Sequence, residues 1–169
     1  LGRLTFSQLV NSGSGLSKSL RLEERIYDEY RPLIYDQGMK LLENQTFYLK
    51  DFIRFYENFC LDKHELEVAF ESLLLALDRN KVNFDFSDWG DLLQSISNQP
   101  LEIPHHQSFR LGQRAAKMVV DDFMRLKSWE MRYLYNGIDQ LQEKRGFDVL
   151  EGWEDREKFI SLERKTKRK

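Results

Sequence analysis

A chain of 169 residues has the length of one ordinary domain and can bury roughly two thirds of the surface its unfolded form exposes. Aliphatic and aromatic residues at 41% argue against intrinsic disorder, and 32% charged residues with no apolar run longer than Leu73 to Leu77 argue against a membrane span. The net charge of −2 conceals a basic end, since Arg164, Lys165, Lys167, Arg168 and Lys169 leave −7 on the rest, and an acidic body lacks the broad positive face of a nucleic-acid binder.

Leu4, Phe6, Leu9 and Val10 make a short apolar stripe, and Asn11-Ser12-Gly13-Ser14-Gly15 then predicts a flexible break, so residues 1–15 are expected to dock loosely. From Ser19 the spacing of Leu22, Ile26 and Tyr30 predicts a helix, with Pro32 either kinking it or opening a second one that carries Leu33, Ile34, Leu41 and Leu42. Thr46 is placed to cap the helix of Phe52, Phe55, Tyr56 and Phe59. Asp62 and Glu65 form a D-x-x-E cap before Leu66, Ala69, Phe70, Leu73, Leu74 and Leu77, the clearest helical series in the chain.

Lys81 to Phe86 is the one piece that reads as extended. Ser87 is placed to cap the helix of Trp89, Leu92, Leu93 and Ile96, and two prolines make Ser97 to Pro104 a loop. One long helix is then expected near 108–143, from Ser108 past Phe123, Leu126 and Trp129 to Leu141, ended by Lys144-Arg145-Gly146. A last helix is expected from Trp153, with Glu154 and Asp155 in its first turn and lysines and arginine in its last. The sum is an all-α chain, a single helical domain over 16–163 with six or seven amphipathic helices and a basic tail at 164–169.

Two segments share a pattern 37 residues apart: Phe47-Tyr48-Leu49-Lys50-Asp51-Phe52 and Phe84-Asp85-Phe86-Ser87-Asp88-Trp89. The later one resembles the second half of an EF-hand, with Phe84, Asp88 and Trp89 as the loop's hydrophobic residue, its last acidic residue and the aromatic start of the exiting helix. The resemblance covers residues 33–97 and implies a pair of helix-loop-helix units. Its entering loops depart from the pattern: Leu77, Arg79, Lys81 and Val82 stand at ligand and turn positions of one, and Lys40, Leu42 and Asn44 at ligand positions of the other. Calcium takes six to eight oxygens, so the resemblance is to a degenerate, metal-free pair, and no cofactor is expected.

No nucleophile elbow, phosphate loop or paired carboxylate stands out. Glu102, His105 and His106 are the one grouping a metal-dependent enzyme could draw on, although Pro104 interrupts the spacing and adjacent histidines do not share a helical face. Cys60 reads as a small buried hydrophobe and His64 as exposed. On the helix of Phe52, Phe55, Tyr56 and Phe59 the apolar residues exceed a 100°-wide stripe, so it is either sandwiched or offered to a partner.

These features predict an interaction or adaptor module that binds a partner helix or peptide on an aromatic face made by Phe52, Phe55, Tyr56, Phe59 and Trp89. The alternative is a nucleic-acid-associated protein that attaches through Arg164, Lys165, Lys167, Arg168 and Lys169. The lack of a signal-peptide pattern and the single cysteine predict a soluble intracellular protein, cytoplasmic or nuclear. A start at Leu1 rather than Met predicts a piece of a longer chain.

Overall fold

Asp62 caps its helix as expected: its carboxylate accepts the Glu65 N–H at 2.8 Å, satisfying a backbone donor that the first turn leaves open. A computed structural model describes residues 4–19 and 24–167, and its architecture is all-α. Eight helices lie among the described residues, grouped into two compact units, Leu1–Asn83 and Phe84–Lys169.

The first unit holds α1 (Phe6–Ser19), α2 (Glu24–Asn44), α3 (Leu49–Phe59) and α4 (Lys63–Asp78). Two-residue strands β1 (Phe47–Tyr48) and β2 (Val82–Asn83) pair in parallel, Phe47 with Val82 and Tyr48 with Asn83. β2 lies in the stretch expected to be extended. β1 was hidden in the helical reading of Phe47 and leaves Tyr48, not Thr46, as the cap residue of α3. The shared pattern aligns Phe47 with Phe84, whereas the ladder pairs Phe47 with Val82, so the pairing is two residues out of step with the repeat.

The break expected at Asn11 to Gly15 does not occur, because α1 runs through it. Gly13 is buried against α3, where a Cβ would come within 2.6 Å of the Phe59 ring, so close packing explains this glycine. Phe6, Leu9 and Val10 are buried, and α1 packs on α2 and α3. Pro32 lies inside one continuous α2 rather than opening a second helix. Leu22, expected on that helix, lies outside the described residues.

The core of this unit is aromatic. α3 lies between α1 and α4: Phe55 meets Phe6 edge-on at 5.3 Å, while Phe52 and Tyr56 meet Phe70 at 5.2 and 4.9 Å. Such aromatic pairs add about 0.5–1.5 kcal/mol each beyond burial. Arg31 closes the α3–α4 corner, donating to the Phe59 carbonyl at 2.8 Å and to the Glu65 carboxylate at 2.9 Å.

The second unit holds α5 (Phe86–Asn98), α6 (His105–Asp122), α7 (Ser128–Arg145) and α8 (Arg156–Lys167). The cap of α5 falls at Asp85, not Ser87, and the Asp85 N–H donates to the Asp88 carboxylate at 2.8 Å. The long helix expected near 108–143 is two helices, which with the unexpected α1 accounts for eight where six or seven were expected. α6 ends at Asp122, whose carbonyl accepts from Arg125 and Leu126, and α7 starts afresh where the Lys127 N–H donates to Glu130 Oε1 at 2.9 Å. Phe123, Leu126 and Trp129 keep a helical spacing across this turn, but only Leu126 is buried.

α5 and α7 form the tightest helix pair of this unit, with Leu92, Leu93, Leu134 and Ile138 buried. Arg145 Nη2 donates to the carbonyls of Ile96 at 2.7 Å and Gln99 at 3.1 Å, placing a cation at the C-terminus of α5 where the helix dipole favours it. Gly146 ends α7 at φ 71, the left-handed cap its sequence predicts. α8 begins at Arg156 rather than Trp153, and its Phe159 packs edge-on against Tyr135 of α7 at 5.4 Å. No helix among the described residues is long and apolar enough to cross a membrane.

Candidate functional site

The aromatic face expected to receive a partner is already filled. Phe52, Phe55, Tyr56 and Phe59 are fully buried in the first unit and Trp89 is buried in the second, so the helix of Phe52 to Phe59 is the sandwiched one of the two alternatives. The apolar surplus of α3 is used by Phe6 and Phe70, not left for another chain.

Nor do Glu102, His105 and His106 form a ligand set. All three are exposed, and His105 opens α6, its ring 4.5 Å from that of Phe147. Among the described residues no group of three or more His, Cys, Asp and Glu side chains is placed to hold a metal ion. His64 is exposed in the first turn of α4. Cys60 is buried at the end of α3, and burial, with the Glu65 carboxylate beside it, pushes its thiol well above the ordinary range, opposite to the shift that makes a nucleophile.

The basic end is only partly a tail. Arg164, Lys165 and Lys167 lie in the last turn of α8, where Thr166 is buried and Lys167 pairs with Asp139 at 3.5 Å and Glu163 at 3.3 Å. Arg164 and Lys165 are exposed, and Arg168 and Lys169 lie outside the described residues. A second basic feature escaped the sequence reading: Arg110, Arg114 and Lys117 recur along α6 and line a cleft of about 300 Å³ with Trp153. Arg110 and Arg114 each hold further interactions.

A surface open to a ligand lies where α5 begins and α6 turns into α7. A cleft of about 470 Å³ is walled by Phe84, Phe86 and Trp129, with Asp85, Asp122 and Glu130 around it and Arg125 at its side. Trp129 is 57% exposed and Phe84 39%, and the adjoining Met124 is 84% exposed. Phe84 is held in place edge-on to the buried Trp89 at 5.7 Å. The local folding explains why these side chains face outward: the new helix start at Lys127 rotates Trp129 off the stripe that Leu126 and Leu134 follow into the core.

Three carboxylates stand against one guanidinium here. Asp122 and Arg125 approach at 3.4 Å, with Arg125 77% exposed, a surface pair of small energetic weight. Glu130 Oε1 accepts the Lys127 N–H and so offsets part of the positive end of α7. Among the described residues the phenols that depart most, Tyr35 and Tyr133, are pushed up to about 12 chiefly by burial, and neither lines the groove.

No sequence signal marks this surface: Phe123, Leu126 and Trp129 continue the helical spacing although only Leu126 is buried. No protein-family model matches the chain, and neither the curated proteins nor the solved structures give a match.

Proposed function

We propose that the chain is a protein-interaction module and that it takes a short segment of a partner in the groove between the start of α5 and the α6–α7 turn. One observation carries this reading: Phe84 and Trp129 are large aromatic side chains exposed together in one cleft, with Met124 exposed in the turn beside its Arg125. Single exposed apolar residues are ordinary, but a cluster rimmed by polar groups is what binding surfaces look like. Aromatic residues and methionine are also the types enriched where partners meet. The partner site thus moves from the α3 face to the opposite half of the sequence, while the functional class stays the same.

A peptide-display selection against the whole chain tests the reading. Peptides should be enriched, and their binding should fall about tenfold or more in Trp129→Ala, the loss typical of a central aromatic anchor. Met124→Asp should weaken the same peptides. Absence of enrichment, or peptides indifferent to both substitutions, would overturn the assignment.

A further inference from the structure

The chemistry of the groove says more about its occupant than its apolar walls do. Phe84, Phe86 and Trp129 present rings, whose faces carry negative potential, and Asp85, Asp122 and Glu130 add three formal negative charges against the single positive charge of Arg125. We propose that the groove holds a lysine or arginine side chain of the partner segment, its aliphatic stem along Phe84 and Trp129 and its charged head toward Asp122 and Glu130. This rests on the peptide-docking reading above and specifies the residue recognised.

Three features favour a basic side chain over the other occupants of an apolar groove. A carboxylate or phosphate brought among Asp85, Asp122 and Glu130 would meet like charge at close range, which excludes an acidic peptide or a nucleic-acid backbone. A purely aliphatic anchor would use the rings but leave the carboxylates crowded and partly desolvated, with nothing gained from their charge. A long cationic side chain satisfies both, because its methylene stem covers apolar surface while the head stays at the wet, acidic rim. The Asp122–Arg125 contact does not block this. At 3.4 Å and with Arg125 77% exposed, it is a pair that an incoming cation can replace.

The helix starts at the groove account for two of the three carboxylates, Asp85 and Glu130, while Asp122 ends α6 and is offset by Arg125 at 3.4 Å. α5 and α7 both begin at it, and the Asp88 and Glu130 carboxylates accept the Asp85 and Lys127 N–H groups of those two helix starts. Negative charge is favoured at both of these helix starts in the free protein, so Asp85 and Glu130 are in place before any ligand arrives.

The test uses the full chain and three short peptides identical except at a central residue flanked by leucines: lysine, norleucine, or glutamate. Binding is followed by the indole N–H resonance of Trp129, assigned by its loss in Trp129→Phe. The lysine peptide should shift that resonance saturably, with the norleucine peptide at least about fivefold weaker and the glutamate peptide weaker still. Raising salt from about 0.05 M to about 0.5 M should weaken the lysine peptide and leave the norleucine peptide nearly unchanged. Asp122→Asn, which keeps the side chain's shape and removes no hydrogen bond of the α5 or α7 caps, should bring the lysine peptide close to the norleucine value.

Equal binding of lysine and norleucine peptides, each shifting Trp129, would overturn the cation assignment while leaving the docking reading standing. No shift of Trp129 by any of the three, alongside display-selected peptides that do depend on Trp129, would also overturn the cation assignment. Failure of both the display selection and the defined peptides would remove the docking reading itself.

Discussion

The ring of Tyr133 lies across Gly90 where α7 crosses α5, so close that a Cβ on Gly90 would stand 2.2 Å from a ring carbon. Gly90 is costly to helix propensity by roughly 1 kcal/mol relative to alanine. Its place is explained by the contact it permits rather than by its backbone. Gly90→Ala is therefore expected to destabilise the protein by about 1–3 kcal/mol despite the better helix former, because either the helices or the Tyr133 ring must shift. Urea denaturation measures this. An unchanged or raised midpoint would show that the ring moves aside freely.

Tyr133 carries a second consequence. Its hydroxyl donates to Asp91, and burial, then that hydrogen bond and the Asp91 charge, push the phenol up to about 12 from an ordinary value near 10. A group whose folded pKa is raised stabilises the fold fully below its unfolded pKa and loses that contribution as pH climbs through the folded one. The window here is about pH 10 to 12. Tyr133→Phe keeps the ring over Gly90 but removes the titration, so it should cost about 1 kcal/mol at neutral pH and flatten the fall of melting temperature across that window. The same alkaline slope in both proteins would assign it to other groups.

Arg31 and Glu65 offer a sharper case, because their side chains are only 15% and 14% exposed. Arg31 Nη1 also donates to the Phe59 carbonyl, and Glu65 Oε1 accepts the Leu61 N–H at 3.1 Å, so the pair joins α2 to the turn between α3 and α4. Removing one partner leaves the other charge half-buried, and Arg31→Met is expected to cost about 2–4 kcal/mol. The double change Arg31→Met, Glu65→Met should cost less than the sum of the single ones, since no charge is then stranded. Strict additivity in thermal unfolding would mean that the pair is solvated enough to act as two independent surface groups.

The helices with one buried face and a clear start could be read from the residues alone. α4 follows its D-x-x-E cap, and α7 ends at Gly146 where cations meet a glycine of positive φ. What could not be read has physical causes that period and composition do not carry. Asn11 to Gly15 has the composition of a linker, yet Gly13 is there because Phe59 lies against it. The α6–α7 turn is invisible to periodicity, since Phe123, Leu126 and Trp129 continue the helical spacing with two of the three pointing to solvent. For the site, the sequence indicates an apolar surplus but not where it is spent. Phe6 and Phe70 consume it on α3, and only the tertiary structure leaves Phe84, Met124 and Trp129 uncovered.

Deleting residues 164–169 looks like the natural test of a basic tail, but the deletion removes structure along with charge. Thr166 is buried, its hydroxyl donates to the Leu162 carbonyl at 2.9 Å, and Lys167 reaches Asp139 on α7. The truncation should therefore lower stability by about 1–2 kcal/mol through the loss of the last turn of α8 and its packing. Arg164→Gln with Lys165→Gln removes two exposed charges and should stay within about 0.5 kcal/mol of the parent. If the exposed charges contact phosphates, the double change should lower affinity for a nucleic acid and reduce its salt dependence by about two counterions without moving the melting temperature. If affinity falls only in the truncated chain, and in step with its melting temperature, the end of α8 is a structural element and not a nucleic-acid contact.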